Sequence, residues 1–257
     1  MARRNQDSSD KLHNRRKEAL KAKKFKNNVK NRHKVPDIII SCEDSVSAPV
    51  YLNKIVENLI KDKKITQDSF VIVNQKVLKG TNPLKVLERL KKYSDANGKS
   101  YKDFQHKWIV IDRDKERVNG GGHTSEDFNS TLLSAKSKKE TLNIEVAYSN
   151  DAFELWYLLH FDYISTSLLR DEINKRLIIK LKEKNLHKFS KLNKKNIKDE
   201  NYTKHIYDEL LELQDTGIKN ATKLLESYGN EYNPENANPS TTIHKLIEIL
   251  NTLNKSN

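Results

Sequence analysis

The chain has 257 residues, which is enough for one large domain or for a compact domain with an appendage. Its single cysteine, Cys42, excludes an internal disulfide and is typical of a reducing cytoplasm. Because the sequence contains no run of about 18 apolar residues and its start lacks the apolar core of a signal peptide, a membrane span is excluded and we expect a soluble, cytoplasmic protein.

The formal net charge of +13 is concentrated in two segments. Residues 1–36 hold thirteen Lys and Arg against three acids, and residues 175–204 hold eleven against three, so the rest of the chain has a net charge of −5. Positive segments attract phosphate backbones without regard to base sequence. We therefore expect nucleic acid, DNA or RNA, to bind at residues 1–35 and 175–204. A merely solvated surface rich in Lys and Asn would have the same composition, and this alternative stays open.

Residues 1–35 show hardly any apolar period and are predicted to form a basic N-terminal arm. From residue 37 onward, short apolar runs alternate with stretches whose apolar residues recur at helical spacing. The runs predict buried strands at residues 38–40, 70–73, 108–111 and 144–148. The other stretches predict helices at residues 49–62, 83–93, 125–139 and 151–161. This order predicts an α/β domain over residues 36–162, with a mainly parallel four-stranded sheet flanked by helices.

Residues 163–257 show no convincing strand pattern and are predicted to form an α-helical C-terminal region. Helical patterns occupy residues 168–186, 202–213, 216–228 and 241–253. Between the first two of these helices, the Lys- and Asn-rich residues 188–200 predict a loop.

Acidic residues follow two of the four predicted strands. Glu43 comes after the first strand, and Asp112 and Asp114 come after the third. In open parallel sheets, ligands bind outside the carboxyl ends of the strands, and alternate residues of an extended chain point the same way. If the first and third strands are neighbours, the three carboxylates converge, and the cation that suits such oxygens beside a phosphate is Mg²⁺, or Mn²⁺ in its place. An Asp-x-Asp loop with no metal role is the alternative.

Glu154 has two interpretations. With Asp151 as the N-cap, Glu154 is the third residue of the predicted helix, and Asp-x-x-Glu in this place satisfies free backbone N–H groups. Glu154 also lies past the carboxyl end of the fourth predicted strand, beside the predicted metal site. The candidate catalytic residues are therefore Glu43, Asp112, Asp114 and Glu154, and the first three are the candidate metal ligands.

A glutamate after the first strand and Asp-x-Asp after a later strand resemble the TOPRIM domain of topoisomerases, bacterial primases and OLD-type nucleases. More specifically, five segments resemble the RloB-like (AbiLii-type) family of prokaryotic defence proteins, over roughly residues 34–250. They read CED at 42–44, SAPVY at 47–51, IDRD at 111–114, SNDAFELWYLLHF at 149–161 and NPSTT at 238–242. The long aromatic segment and the distant NPSTT are much more specific than Asp-x-Asp alone.

The resemblance implies a TOPRIM-like fold and a Mg²⁺-dependent nuclease that hydrolyses phosphodiester bonds of DNA or RNA, tRNA included, in anti-phage defence by abortive infection. It also implies a second copy of the chain or a defence-system partner protein as further partners. Two residues depart from the family: Asp44 stands where the family has glycine, and Ala48 stands where it has a second glutamate. Because Ala48 cannot bind a metal, a catalytically degraded TOPRIM module that binds nucleic acid or a partner protein without cleaving is the alternative.

Overall fold

The computed structural model describes residues 37–73, 82–115, 122–137 and 143–255, and the predicted arm at residues 1–35 lies outside these ranges. The described strands are β1 (Ile38–Cys42), β2 (Phe70–Val73), β3 (His106–Asp112), β4 (Ile144–Asn150) and β5 (Ser240–Thr241). The α-helices of the same ranges are α1 (Ser47–Lys61), α2 (Pro83–Lys91), α3 (Ser125–Ala135), α4 (Glu154–Leu158), α5 (Arg170–Lys184), α6 (Leu186–Phe189), α7 (Glu200–Leu210), α8 (Gln214–Glu226) and α9 (Ile243–Lys255). The predicted α/β class is confirmed.

The described strands form one sheet in the order β2-β1-β3-β4-β5. Strands β1 to β4 run parallel to one another and coincide with the predicted strands to within a few residues. Strand β5 runs antiparallel to β4, pairing Ser240 with Asn150 and Thr241 with Ser149. The prediction of four strands is therefore wrong in number, because a two-residue strand is too short to show the alternation by which strands are recognised.

The centre of the sheet is buried on both faces. Ile39 and Ile109 pack with Leu87 of α2 and Phe128 of α3 in one hydrophobic core. Successive strand residues point to opposite faces, so Ile40, which is fully buried, is covered from the other side. Each buried isoleucine contributes about 1.5–3 kcal/mol to folding. The apolar strands thus form a rigid frame whose carboxyl ends hold the residues that follow them.

Two helices near these carboxyl ends begin at polar caps. The side chain of Thr124 accepts a hydrogen bond from the backbone N–H of Asp127, at 3.1 Å, and starts α3. Val46, which precedes α1, has no polar side chain for this purpose. Instead, the Asp44 carboxylate accepts from the backbone N–H of Ala48, at 3.2 and 3.3 Å. Asp44 therefore stabilises the first turn of α1.

The C-terminal half is helical, as predicted, with three differences in detail. Helix α4 spans Glu154–Leu158 rather than residues 151–161, and α6 is a single turn at the start of the predicted loop. Helix α9 begins at Ile243, because the residue that the sequence assigned to its start, Thr241, belongs to β5. Helix α1 packs against α7 and α9, and Tyr51 contacts Trp156 and Tyr207 edge-on. No helix in the described ranges is long and apolar enough to cross a membrane.

Candidate active site at the carboxyl ends of the strands

Glu43 and Asp112 meet because β1 and β3 are adjacent strands. The backbone N–H of Glu43 donates to the carbonyl oxygen of Val110, at 2.8 Å, which continues the ladder one residue beyond β1. The backbone N–H of Asp112 donates in turn to Oε2 of Glu43, at 3.0 Å. The structure therefore brings together two of the residues that the sequence predicted to converge.

Asp112 and Asp114 point the same way, as alternate residues of an extended segment do, and they share one cation. Nη2 of Arg170 lies 2.9 Å from Oδ2 of Asp112 and 3.2 Å from Oδ2 of Asp114. Arg170 is the first residue of α5, and its backbone N–H donates to Oδ2 of Asp151, at 2.9 Å. This double attachment holds the guanidinium against the pair of carboxylates.

Glu154 lies against Lys198 and Ser47 and does not cap a helix. Its side chain is 1% exposed, and Oε1 accepts from the hydroxyl of Ser47 at 2.7 Å and lies 3.2 Å from Nζ of Lys198. Its Oε2 has no hydrogen-bond partner among the described residues. The capping interpretation is wrong because α4 begins at Glu154, not at Asp151, and has no side-chain cap. The Asp151 carboxylate instead accepts from Arg170.

Lys198 is the second cation of the cluster. It lies in the loop between α6 and α7, within the basic segment that the sequence predicted to bind nucleic acid. Burial alone would lower the pKa of Lys198, but the carboxylates of Glu154 and Asp112 raise it above its usual value. This lysine therefore stays protonated and faces the carboxylates, whereas most of its neighbours in the segment face solvent.

The positive charges of Arg170 and Lys198 do not balance the negative charges of the carboxylates. Burial, followed by the charge of Asp112, raises the pKa of Glu43 to about 8. Burial raises the pKa of Asp112 to about 7, even though Arg170 and Lys198 oppose this change. Both shifts have the same physical cause, namely negative charge that is removed from water and only partly neutralised. A further cation would lower the free energy of the ionised cluster.

These donors fit Mg²⁺ in chemistry, since they are partly buried carboxylate oxygens that outnumber the two cations beside them. Their present arrangement is not that of a metal site. In the described ranges, no three or more His, Cys, Asp or Glu side chains are grouped so as to hold an ion. The cation between Asp112 and Asp114 is the Arg170 guanidinium. A metal that used both aspartates would compete with this side chain.

Ala48 is fully buried and adjoins Ser47, whose hydroxyl binds Glu154. The Glu154 carboxylate therefore lies next to the position where the family motif has its second glutamate. Asp44 is turned to the first turn of α1 instead. Of the two acids near this position, Glu154 is the one that the structure leaves with an unpartnered oxygen among the described residues.

His123 closes the cluster on the side of Glu43. Its Nδ1 lies 4.0 Å from Oε1 of Glu43, and its side chain is buried. Burial, with the charge of Arg113 as the next cause, lowers the pKa of His123 to about 4. The ring is therefore neutral at physiological pH and does not form an ion pair with the glutamate.

Sequence reasoning missed Arg170, Lys198 and His123. Arg170 and Asp112 are separated by 58 residues in the chain, and nothing around Arg170 distinguishes it from a surface arginine at a helix start. Lys198 belongs to a segment that is visibly basic, but composition does not tell which lysine of such a segment turns inward. The only sequence signal was the acidic cluster itself, because buried carboxylates require cations from somewhere in the chain.

The fold and the site define a class: an α/β protein with buried acidic residues at the carboxyl ends of parallel strands. The family model described as RloB-like protein matches residues 38–250. This is most of the chain, which therefore belongs to the RloB-like family, a family associated with defence and abortive infection. Comparisons with curated proteins and with solved structures returned no match.

Proposed function

We propose that this protein is a metal-dependent nuclease with a TOPRIM-like fold. The observation that carries the proposal is the meeting of Glu43, Asp112, Asp114 and Glu154 around internal cations at the carboxyl ends of β1, β3 and β4. The parallel strand order β2-β1-β3-β4, with glutamate after β1 and Asp-x-Asp at the end of β3, supports the TOPRIM-like assignment. The four carboxylates outnumber the two cations, Arg170 and Lys198, so a divalent ion would lower the free energy of their ionised form.

Glu43, Asp112 and Asp114 would hold Mg²⁺ or Mn²⁺. The ion supplies Lewis-acid stabilisation of phosphoryl oxygens when it is bound. Glu154 would bring a fourth carboxylate close to Ser47, the residue before Ala48, and its second oxygen has no partner in the described part of the chain. Alternatively, Glu43 would act as the general acid or base instead of a metal ligand, with its carboxylate held by the Asp112 N–H.

Arg170 and Lys198 have two functions in this proposal. Without substrate they neutralise part of the carboxylate charge and keep the cluster folded. When a phosphodiester enters, the same side chains are cations beside the reacting phosphoryl group, where they would stabilise the charge of the transition state. Substrate and metal would thus rearrange ion pairs that exist already, rather than bury new charges.

The substrate class is nucleic acid, either DNA or RNA, with tRNA among the candidates. Residues 175–204 hold a net charge of +8, and most of their lysines are exposed along α5 and the loop before α7. Such a surface binds phosphates with a strong dependence on salt. The proposed biological role is anti-phage defence by abortive infection in the cytoplasm, and the association of the family with defence supports it. A second copy of the chain or a defence-system partner protein is an additional proposed partner.

The test is a cleavage assay on supercoiled plasmid, single-stranded DNA and tRNA, with Mg²⁺, with Mn²⁺ and with EDTA. We expect metal-dependent cleavage that is lost in a variant with both Asp112→Asn and Asp114→Asn. Lys245→Ala, an exposed change on α9, is the matched control. If the chain and an Ala48→Glu variant both fail to cut all three substrates, the nuclease proposal is wrong.

The second candidate is a binding module whose TOPRIM-like site no longer catalyses. Two observations favour it: Ala48 stands in an acidic position of the family motif, and Arg170 already bridges the two aspartates. This candidate predicts salt-sensitive binding of nucleic acid with the same affinity in Mg²⁺ and in EDTA. An affinity that falls tenfold or more on chelation would count against it.

A further inference from the structure

A cavity of about 310 Å³ opens at the start of α3, and its lining includes His123, whose Nδ1 lies 4.0 Å from Oε1 of Glu43 in the carboxylate cluster. Arg113, Lys115, His123, Ser125 and Glu235 are among the residues that line it. Its position follows from the Asp-Arg-Asp sequence. In an extended segment successive side chains point to opposite sides, so Asp112 and Asp114 contact Arg170 while Arg113 lies against α3.

Arg113 is buried to an extent that is rare for arginine, with 3% of its surface exposed. Its guanidinium lies 5.5 Å from the centre of the Phe128 ring, and Nη2 donates to the hydroxyl of Ser125 at 2.9 Å. Nε and Nη1 have no hydrogen-bond partner among the described residues. A buried cation with two unpartnered donor nitrogens is costly unless something else supplies acceptors.

One anion of the chain itself is already bound at the edge of this cavity. Oε1 of Glu235 lies 3.7 Å from Nη2 of Arg113, and Oε2 accepts from Nδ2 of Asn129 at 2.6 Å. Hydrogen bonds from Ser125 and Asn129 lower the pKa of Glu235, so it is ionised. Because Lys115 adds an exposed positive charge, the cavity keeps a net positive charge even with Glu235 present.

Two further features suit an anion. The cavity lies at the N-terminus of α3, an eleven-residue helix, and helix N-termini present positive potential and N–H groups to anions. His123 is 5% exposed, and its Nε2 has no partner within the described ranges. The unpartnered Nε and Nη1 of Arg113 are independent of the helix, and as N–H donors they call for a ligand with acceptor oxygens. Nε2 of His123 donates to such a ligand in the tautomer that carries its proton there.

We propose that this cavity is an anion site that takes a phosphate group of the nucleic-acid strand, next to the phosphate at the carboxylate cluster. The identity of the ligand rests on the proposed function, whereas the binding of a phosphoryl anion does not. The His123 ring adjoins both sites, since it lines the cavity and lies 4.0 Å from the Glu43 carboxylate. A strand bound at both sites would be held at two phosphates in succession, which fixes its register.

The first experiment is a calorimetric titration of the full chain with inorganic phosphate, in EDTA, so that no metal contributes. We expect saturable binding that Lys115→Ala weakens about threefold or more, because it removes one cation from a partly exposed site. Glu235→Gln should strengthen binding about fivefold or more, because it keeps the shape of the side chain and removes the competing charge. Lys245→Ala, which removes one positive charge on α9, should leave the affinity unchanged.

A second titration uses a dinucleotide with one internal phosphodiester and no terminal phosphate. Competition with inorganic phosphate for the same Lys115-dependent site supports the proposal. Binding of inorganic phosphate alone would overturn the assignment to a strand, and equal affinities in all variants would overturn the anion site itself. If phosphate binds as expected and no nucleic acid is cut, the site stands and the nuclease proposal falls. Cleavage without phosphate binding would remove the anion site and leave the nuclease proposal standing.

Discussion

Replacing Arg170 by alanine separates its structural role from metal binding. The guanidinium contacts Asp112 at 2.9 Å and Asp114 at 3.2 Å, and its side chain is 25% exposed. Removal of one partner of a buried ion pair costs about 3–5 kcal/mol, and the partial exposure of Arg170 places the expected loss near about 3 kcal/mol. For a chain of this size each kcal/mol lowers the melting temperature by about 2–4 °C, so Arg170→Ala should melt on the order of 10 °C lower.

Added Mn²⁺ should reverse much of this loss. With Arg170 absent, an ion no longer has to displace a guanidinium from Asp112 and Asp114, and we expect the Mn²⁺ concentration that gives half of the thermal shift to fall tenfold or more. A tenfold change corresponds to about 1.4 kcal/mol of competition, well below the energy of the two contacts. A ligand at about 100 times its Kd stabilises by about 2.7 kcal/mol, which suffices to restore most of the stability.

The assay is thermal unfolding followed by circular dichroism across a Mn²⁺ series. Arg176→Ala is the matched control, because Arg176 lies on the same helix, α5, and pairs with the exposed Glu172 at 3.0 Å. This control should melt and respond to Mn²⁺ as the unaltered chain does. If Arg170→Ala folds cooperatively but responds to Mn²⁺ no better than the control, then Asp112 and Asp114 are not metal ligands and the reasoning is refuted.

Three other predictions concern the buried polar groups. Lys198→Met should lower the free energy of unfolding in urea by about 2 kcal/mol, because Glu154 loses its cationic partner and the Lys198 side chain is 37% exposed. Adding Glu154→Gln should recover most of this loss. Burial lowers the pKa of His160 to about 4, whereas in the unfolded chain this histidine binds a proton near its usual pKa of about 6.5. The free energy of unfolding is therefore full above pH 6.5 and falls by up to about 3 kcal/mol as the pH drops to 4. His160→Gln should flatten this part of the pH profile, and an unchanged slope would contradict the assignment. Gly217→Ala should lower the free energy of unfolding by about 1–3 kcal/mol despite the better helix propensity of alanine. The added Cβ would lie 2.9 Å from the His160 ring, which is 1% exposed and cannot move aside. A melting temperature at or above that of the unaltered chain would contradict this prediction.

Much of the local structure could be predicted from the sequence. Short runs of Ile and Val predicted β1 to β4, and the spacing of leucines predicted most helices, because these signals come from residues within one or two turns of each other. The acids at the ends of β1 and β3 were also visible, and the alternation of an extended chain placed Asp112 and Asp114 on one side. Strand β5 was not predicted, because two residues are too few to show an alternating pattern.

Tertiary structure decided what these acids are near. Only the strand order makes β1 and β3 neighbours and so lets the Asp112 N–H reach Glu43. Arg170 and Lys198 reach the acids from a helix and a loop that lie between β4 and β5 in the chain, and no local pattern encodes such a pairing. The reason is physical: a helix or strand depends on neighbours in sequence, whereas the partner of a buried charge is whichever opposite charge the packed fold brings within a few ångströms.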